Sequence, residues 1–367
     1  MADITVANLH KRFDSFTAVK DSTFTIKNGE FFVLLGPSGC GKTTTLRMIA
    51  GLELPTSGQI EIEGKDVSFL RASERDIAFV FQMFALYPHM NVRQNISFPL
   101  KCQGVPRKEI KKRLSDVAEI LRIEHLLDSP VGGLSSGDKQ RVSLGRAIIR
   151  QPQVFLMDEP LGALDSEFRH LMCSELRDLH NRMGATTVYV THDQLEAMSM
   201  ADKIMVMNHS VIEQVGEPQF IYDYPSTIFV AKFLGEPSMN ILEFEGSALS
   251  GSTSLSINGI PIEVSPILED AQTERLALGI RPEHVSLVEF SKVKGVVETA
   301  EYLGTTQILT ISSVIGTLKA RVDSQIPMAR GQQVYLRLSP EHTTVFDRET
   351  GKVLMNARYQ EAHHGGA

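Results

Sequence analysis

The sequence predicts an α/β domain built on a parallel sheet, carrying a helical insertion and followed by an all-β domain. Three observations carry this expectation. Phe31–Leu35, Ile77–Phe81, Val154–Met157, Thr187–Val190 and Ile204–Met207 are short and almost entirely apolar, the pattern of strands buried on both faces by covering helices. Between Val92 and Arg150 such runs stop, and Ile110, Leu114, Val117 and Leu121 recur at helical spacing with Lys and Arg between them. From Glu236 onward, runs such as Leu276–Ile280, Gln307–Ile311 and Val334–Leu338 alternate with Gly, Ser and Pro turns at close spacing, which reads as a small barrel. The expected boundaries are 1–235, with a helical part over 88–150, and 236–367, with Glu236-Pro237-Ser238 as the joint.

Composition narrows the classes of function. In 367 residues, 42% hydrophobic and 22% charged, there is enough apolar surface for packed cores, so disorder is excluded. Lys plus Arg is 37 against 44 for Asp plus Glu, and a net charge of −7 argues against a general nucleic-acid binder. Cys40, Cys102 and Cys173 lie far apart and form no CxxC pair, which excludes a cysteine zinc site and fits a reducing compartment. The start, Met1-Ala-Asp-Ile-Thr-Val, has no signal-peptide pattern, and no apolar run approaches a membrane span, so a membrane role is expected to come through a partner. The charged stretch Glu109–Arg113 reads as a solvated helix face, and His363-His364 as a solvated tail.

The strongest chemical signal is Gly36-Pro37-Ser38-Gly39-Cys40-Gly41-Lys42-Thr43, continued by Thr44. It matches G-x-x-x-x-G-K-[ST] between an apolar strand and a helix, the phosphate loop of a P-loop nucleotidase. Glycines let the backbone wrap closely, so several N–H groups point at phosphate oxygens, and the following helix adds the positive end of its dipole. Lys42 is expected to reach the β- and γ-phosphates of ATP, and Thr43 to offer its hydroxyl to Mg²⁺. The second signal is Val154-Phe-Leu-Met-Asp158-Glu159: a buried strand delivering Asp158 beside the metal, then Glu159 as a base for the attacking water.

Further segments resemble those of ABC transporter ATPases. Leu134-Ser135-Ser136-Gly137-Asp138 is similar to the signature written LSGGQ, Gln82 to the Q-loop, Leu164-Asp165 to the D-loop, and Thr191-His192-Asp193 to the switch-histidine segment, all in the family's order. The likeness continues past the first domain. Phe233-Leu-Gly-Glu-Pro-Ser-Met-Asn240 resembles the FxGxPxMN segment of sugar-importer ATPases, Gly279–His284 their GIRPEH segment, and Glu301–Gly304 fits as well. The resemblance covers nearly the whole chain and points to the maltose-importer-like group.

That resemblance implies a bacterial-type importer subunit that couples ATP hydrolysis to uptake of a sugar, a polyol or a glycerol phosphate derivative, with an OB-like regulatory domain at its C-terminal end. It implies a head-to-tail homodimer sandwiching two ATPs, in which Ser135, Ser136 and Gly137 face the γ-phosphate held by the other chain. His192 would hold the γ-phosphate and the attacking water in line with Glu159, Gln82 would join the metal and the water to the helical insertion, and Asp165 of the D-loop would belong to the nucleotide-binding residues. Phe13 would stack on adenine, with a strand-edge core aromatic as the rival reading. The implied partners are two membrane-spanning permease subunits, a solute-binding protein acting through them, and a regulatory protein at the C-terminal domain. The implied place is the cytoplasmic face of the cell membrane, peripherally bound. A soluble ABC protein acting on nucleic acid or ribosomes is the rival, against which stand the single cassette and the absence of heptads and of cysteine pairs.

The signature departs from the family pattern: Ser136 replaces a glycine and Asp138 a glutamine. Asp138 favours the dipole of the helix it opens but would oppose a nearby γ-phosphate, so closure is expected to be weaker and Asp138→Gln to tighten it; the alternative is a side chain that points away.

Overall fold

Runs that are apolar throughout and runs that alternate end up in different sheets. The computed structural model describes residues 2–162, 164 and 166–365, and divides into two units, Met1–Gln219 and Phe220–Ala367.

In chain order the first unit contains β1 (Ile4–Phe13), β2 (Phe16–Ile26), β3 (Phe31–Leu35), α1 (Lys42–Ile49), β4 (Ser57–Ile62), β5 (Lys65–Asp66) and β6 (Ile77–Val80). The helices α2 (Val92–Cys102), α3 (Arg107–Ile120) and α4 (Ser136–Ile148) follow. Then come β7 (Val154–Asp158), α5 (Ser166–Met183), β8 (Thr186–Thr191), α6 (Gln194–Met200), β9 (Lys203–Asn208) and β10 (Val211–Gly216). An antiparallel sheet of order β2-β1-β4-β5 accompanies a six-stranded sheet of order β10-β9-β3-β8-β7-β6. In the latter β9, β3, β8, β7 and β6 run parallel. Every residue of β3, β7 and β8 is buried, as a sheet covered on both faces requires.

Register decides what this sheet can do. Leu35 pairs with Thr191, Val190 with Asp158, and Met157 with Val80. The carboxyl ends of four strands therefore finish side by side, which is where open parallel sheets place their chemistry. The segments beyond those ends are the phosphate loop, His192, Glu159 and Gln82.

The stretch between β6 and β7 holds α2, α3 and α4 and none of the named strands. In α3, Ile110, Leu114, Val117 and Ala118 are buried while Lys108, Lys111 and Lys112 are exposed, with half-buried Arg113 bonded to half-buried Glu109 at 2.8 Å one turn away.

The second unit contains α7 (Pro218–Asp223), which spans the division, α8 (Ile228–Phe233), β11 (Asn240–Glu245), β12 (Ser254–Ile257), β13 (Ile260–Glu263) and β14 (Arg275–Ile280). It continues with β15 (Val285–Val288), β16 (Val293–Tyr302), β17 (Thr306–Ser313), β18 (Gly316–Asp323), β19 (Gln333–Leu338), β20 (Thr344–Asp347) and α9 (Ala357–Gly365). Its sheets have orders β11-β14-β20 and β15-β19-β16-β17-β18, with β12 and β13 as a separate hairpin. Leu242, Phe244, Leu276, Leu278, Leu309, Ile311 and Leu336 meet in their core. The alternation of buried and exposed residues along β11 and the first half of β16 is that of antiparallel strands with one wet face.

The division falls at Gln219/Phe220 and not at the joint expected at Glu236. The cause is a set of bonds that fasten residues 222–234 to the β-rich part. Ile228 N–H donates to Gly351 O at 2.8 Å, Val353 N–H to Ser226 O at 3.0 Å, and the Tyr359 hydroxyl to Pro225 O at 2.9 Å. Buried Arg281 donates to Tyr222 O at 2.7 Å and to Leu234 O, with its guanidinium 3.8 Å from the Tyr222 ring centroid. Two helices in a row look like the end of an α/β domain; their partners lie from about 50 to more than 120 residues downstream and are invisible to local pattern.

Candidate active site at the carboxyl ends of the parallel strands

The phosphate loop leaves β3 at Gly36, and its glycines are there for room. A Cβ on Gly36 would sit 2.3 Å from Met207 O, and one on Gly41 2.3 Å from Ala18 O, with Gly41 also at φ 105°. Gly41 offers no side-chain cap to α1, and the first i→i−4 bond of that helix runs from Thr45 N–H to Gly41 O at 2.9 Å. The N–H groups of Lys42, Thr43 and Thr44 precede that bond and point out of the helix end. Lys42 is 4% exposed; its Nζ donates to Gly36 O at 2.8 Å and Pro37 O at 2.9 Å, which holds the charge over the loop. Cys40 is buried below, and burial pushes its thiol up, out of the reactive range, with the charge of Lys42 pulling the other way. Ser38 and Gly39 are exposed at the crest, with Pro37 half-buried.

Beside the loop, Thr43 Oγ1 donates to Asp158 Oδ1 at 2.9 Å. Burial raises the Asp158 carboxyl above the usual carboxylate range, with the Thr43 hydroxyl and Arg47, 3.9 Å away, pulling it back down. A buried, poorly compensated carboxylate next to a hydroxyl is an all-oxygen set suited to a hard divalent cation.

Glu159 follows with φ 44°, a left-handed conformation that costs a non-glycine residue about 1–3 kcal/mol. Its N–H donates to Val190 O at 3.0 Å and its carbonyl accepts from Gly162 N–H at 3.2 Å, so the backbone is fixed on both sides. The carboxylate is the meeting point of the other two expected residues. Gln82 Nε2 donates to Glu159 Oε2 at 3.2 Å, and His192 Nδ1 lies 3.3 Å from the same oxygen.

Phe13, at the end of β1, is 42% exposed with Lys11 Nζ 4.5 Å from its ring centroid, so the core-aromatic alternative fails. The signature opens α4: Ser135 and Ser136 are exposed and Gly137 is buried. Ser135 is the N-cap, accepting from Asp138 N–H at 3.2 Å and donating its hydroxyl to Asp138 Oδ2 at 2.6 Å. Asp138 thus folds back on its own helix end. Asp165 lies outside the described residues.

Three residues that hold this geometry were not expected from the sequence. Arg146 of α4 donates to Ala85 O at 2.6 Å and Phe84 O at 3.2 Å, and buried Asn95 of α2 donates to Tyr87 O and Met90 O, each at 3.1 Å. Together they tie the loop after Gln82 to the helical insertion. Arg169 of α5 donates to Leu164 O at 3.0 Å and to Asp193 Oδ2 at 2.9 Å, joining the D-loop to the residue after His192. An arginine inside the apolar run Leu144-Gly-Arg146-Ala-Ile was the one available signal.

The "ABC transporter" family model matches residues 19–162 and the "TOBE domain" model residues 278–346. Over 372 aligned residues, 96% of this chain and 100% of the relative, the chain is 44% identical to the trehalose/maltose import ATP-binding protein MalK of Thermococcus litoralis.

The chain belongs to the ABC transporter ATP-binding proteins.

It is also 43% identical to the sn-glycerol-3-phosphate import ATP-binding protein UgpC of Ruegeria sp., over 96% of this chain and 99% of that one. Among solved structures it is similar to the dimeric structure of MJ0796, a bacterial ABC transporter cassette, with a TM-score of 0.54 and 30% identity over 59% of this chain and 98% of that chain. This ABC protein is an ATPase: it binds and hydrolyses ATP on an α/β cassette, and an OB-like β domain follows in the chain. Among the described residues no helix is long and apolar enough to cross a membrane.

Proposed function

We propose that this ABC subunit drives import of a sugar, polyol or glycerol phosphate derivative through separate permease subunits, by ATP-dependent closure of a head-to-tail homodimer. The observation that carries the reading is the convergence of Gln82 and His192 on one oxygen of Glu159, on the same strand ends as the Thr43–Asp158 pair and the phosphate loop. The names of the relatives, trehalose/maltose and sn-glycerol-3-phosphate import proteins, support the cargo class.

In this reading the N–H groups of residues 39–44 and Lys42 cradle the phosphates, and Phe13 stacks on the adenine. Thr43, Asp158 and Gln82 would hold Mg²⁺, which when bound neutralises charge on the phosphate oxygens. Glu159 takes a proton from the attacking water, and His192 positions the γ-phosphate for in-line attack. Ser135, Ser136 and Gly137 complete the site of the partner chain. Asp158, whose carboxyl burial has already destabilised as an anion, gains most from a cation beside it.

The loop carrying Gln82 links the site to the permease. It exposes Phe81 and Met83, and Arg146 and Asn95 fasten its far side to the helical insertion. Exposed apolar residues on a tethered loop suit a membrane subunit's cytoplasmic helix. The chain then sits peripherally on the cytoplasmic face of the membrane, with a solute-binding protein engaged through the permease and a regulatory protein at the OB-like domain.

The test is affinity isolation of the Glu159→Gln chain from detergent-solubilised membranes of its own source, with ATP and Mg²⁺. Two multi-span proteins are expected by mass spectrometry. Recovery of soluble or ribosomal proteins alone would replace this reading with that of a soluble ABC protein.

A further inference from the structure

We propose that Asp138 captures the Ser135 hydroxyl, and that this aspartate thereby sets how strongly ATP closes the dimer. The proposal rests on the head-to-tail reading above, in which Ser135 faces the partner chain's nucleotide.

A serine hydroxyl has one hydrogen to give. Here Ser135 gives it to Asp138 Oδ2 at 2.6 Å, the length of a charge-assisted O–H···O⁻ bond. Ser135 Oγ also accepts from Asp138 N–H at 3.2 Å, so the hydroxyl hydrogen and one of the oxygen's lone pairs are turned inward on one residue. The carboxylate is itself held. Arg141 Nη1 lies 3.5 Å from Asp138 Oδ1, while Arg141 Nη2 and Nε reach the two carboxylate oxygens of Glu175 on α5 at 3.3 and 3.4 Å. Asp138 and Glu175 thus share one guanidinium, which keeps Asp138 from swinging out to solvent.

A phosphate oxygen presented to this helix end must displace the carboxylate before it can accept from Ser135. A glutamine at position 138 carries no charge and is a weaker acceptor, and would leave the hydroxyl free. This differs from simple repulsion between Asp138 and the phosphate. Repulsion acts through space whatever stands at 135, whereas capture acts through the Ser135 hydrogen.

The test uses the full-length chain carrying Glu159→Gln to prevent turnover. Dimer formation is followed by sedimentation velocity against MgATP, and ATP binding to the monomer serves as the fold control. Asp138→Gln and the milder Asp138→Asn are each made with Ser135 intact and with Ser135→Ala. With Ser135 intact, Asp138→Gln is expected to tighten dimerisation about tenfold, the scale of a charge-assisted hydrogen bond, and Asp138→Asn by less. In the Ser135→Ala background the gain is expected to vanish. A gain that persists there assigns the effect to charge and overturns the proposal, as does equal dimerisation of all chains. If every chain binds ATP and none dimerises, the head-to-tail reading falls, and this proposal with it.

Discussion

Two helix ends in the first unit start from similar chemistry and arrive at opposite states. The loop before α1 and the segment before α4 both bring glycine and small hydroxyl residues to a helix N-terminus, and both meet phosphate in the function proposed above. At α1 the position before the helix is Gly41, which supplies no side-chain cap to the opening N–H groups, and Lys42 adds a positive charge above them. At α4 the equivalent position is Ser135, which caps the helix, and Asp138 adds a negative charge that takes up the serine hydroxyl. A helix N-terminus receives an anion when its own side chains leave the N–H groups open; a cap and a carboxylate fill it from within.

The largest effect is expected at α1. Lys42→Met removes the cation that distinguishes the open end while keeping the aliphatic stem. We expect phosphate release to fall by about 10²–10³, the scale of losing one preorganised group on a developing charge, read in a steady-state ATPase assay. A fall below tenfold would mean that the uncapped N–H groups alone hold the nucleotide.

A smaller effect is expected at α4. Ser135→Ala opens the capped end and should cost about 1 kcal/mol, or a melting temperature lower by about 2–4 °C for a unit of this size. An unchanged melting temperature would show that the Ser135–Asp138 contact adds no stability and that the two ends differ in charge alone.

The smallest expected effect is a dependence of stability on pH. His180 of α5 is buried with its ring edge-on to Phe31 at 5.1 Å and Nδ1 2.9 Å from Thr187 Oγ1. Burial holds its imidazole below the ordinary value of about 6.5, with nearby Arg177 adding to the shift. Between the folded and unfolded values the unfolded chain binds more protons, so stability is complete above pH 6.5 and is lost as the pH falls from there toward the folded value. Melting curves from pH 8 to pH 5.5 should show that slope, and His180→Gln should flatten it. An unaltered slope would assign the acid sensitivity to other groups.

Much of the site was legible because its signals are local. Gly36–Thr43 is one contiguous turn, Asp158 and Glu159 close one strand, and Gln82 and His192 each follow an apolar run. Strand and helix types were legible for the same reason: β3 and β7 are apolar throughout, and α3 repeats its buried residues with helical period. Arg146, Asn95 and Arg169 were missed because each acts on carbonyls or carboxylates far from it in the chain, and a carbonyl has no sequence signature.

The sequence by itself determined the order of the elements, the identity of the phosphate loop and the acid pair, and the change of character from α/β to β. Tertiary structure decided the rest. Pairing of Leu35 with Thr191, Val190 with Asp158 and Met157 with Val80 brings Gln82, Glu159 and His192 together, and register depends on partners that local pattern does not name. The division at Gln219/Phe220 and the inward turn of Asp138 were settled likewise, the first by bonds from residues 222–234 to Gly351, Val353 and Tyr359, the second by Arg141 and Glu175. In each case the physical reason is the same: a hydrogen bond needs its partner in place, and only folding puts it there.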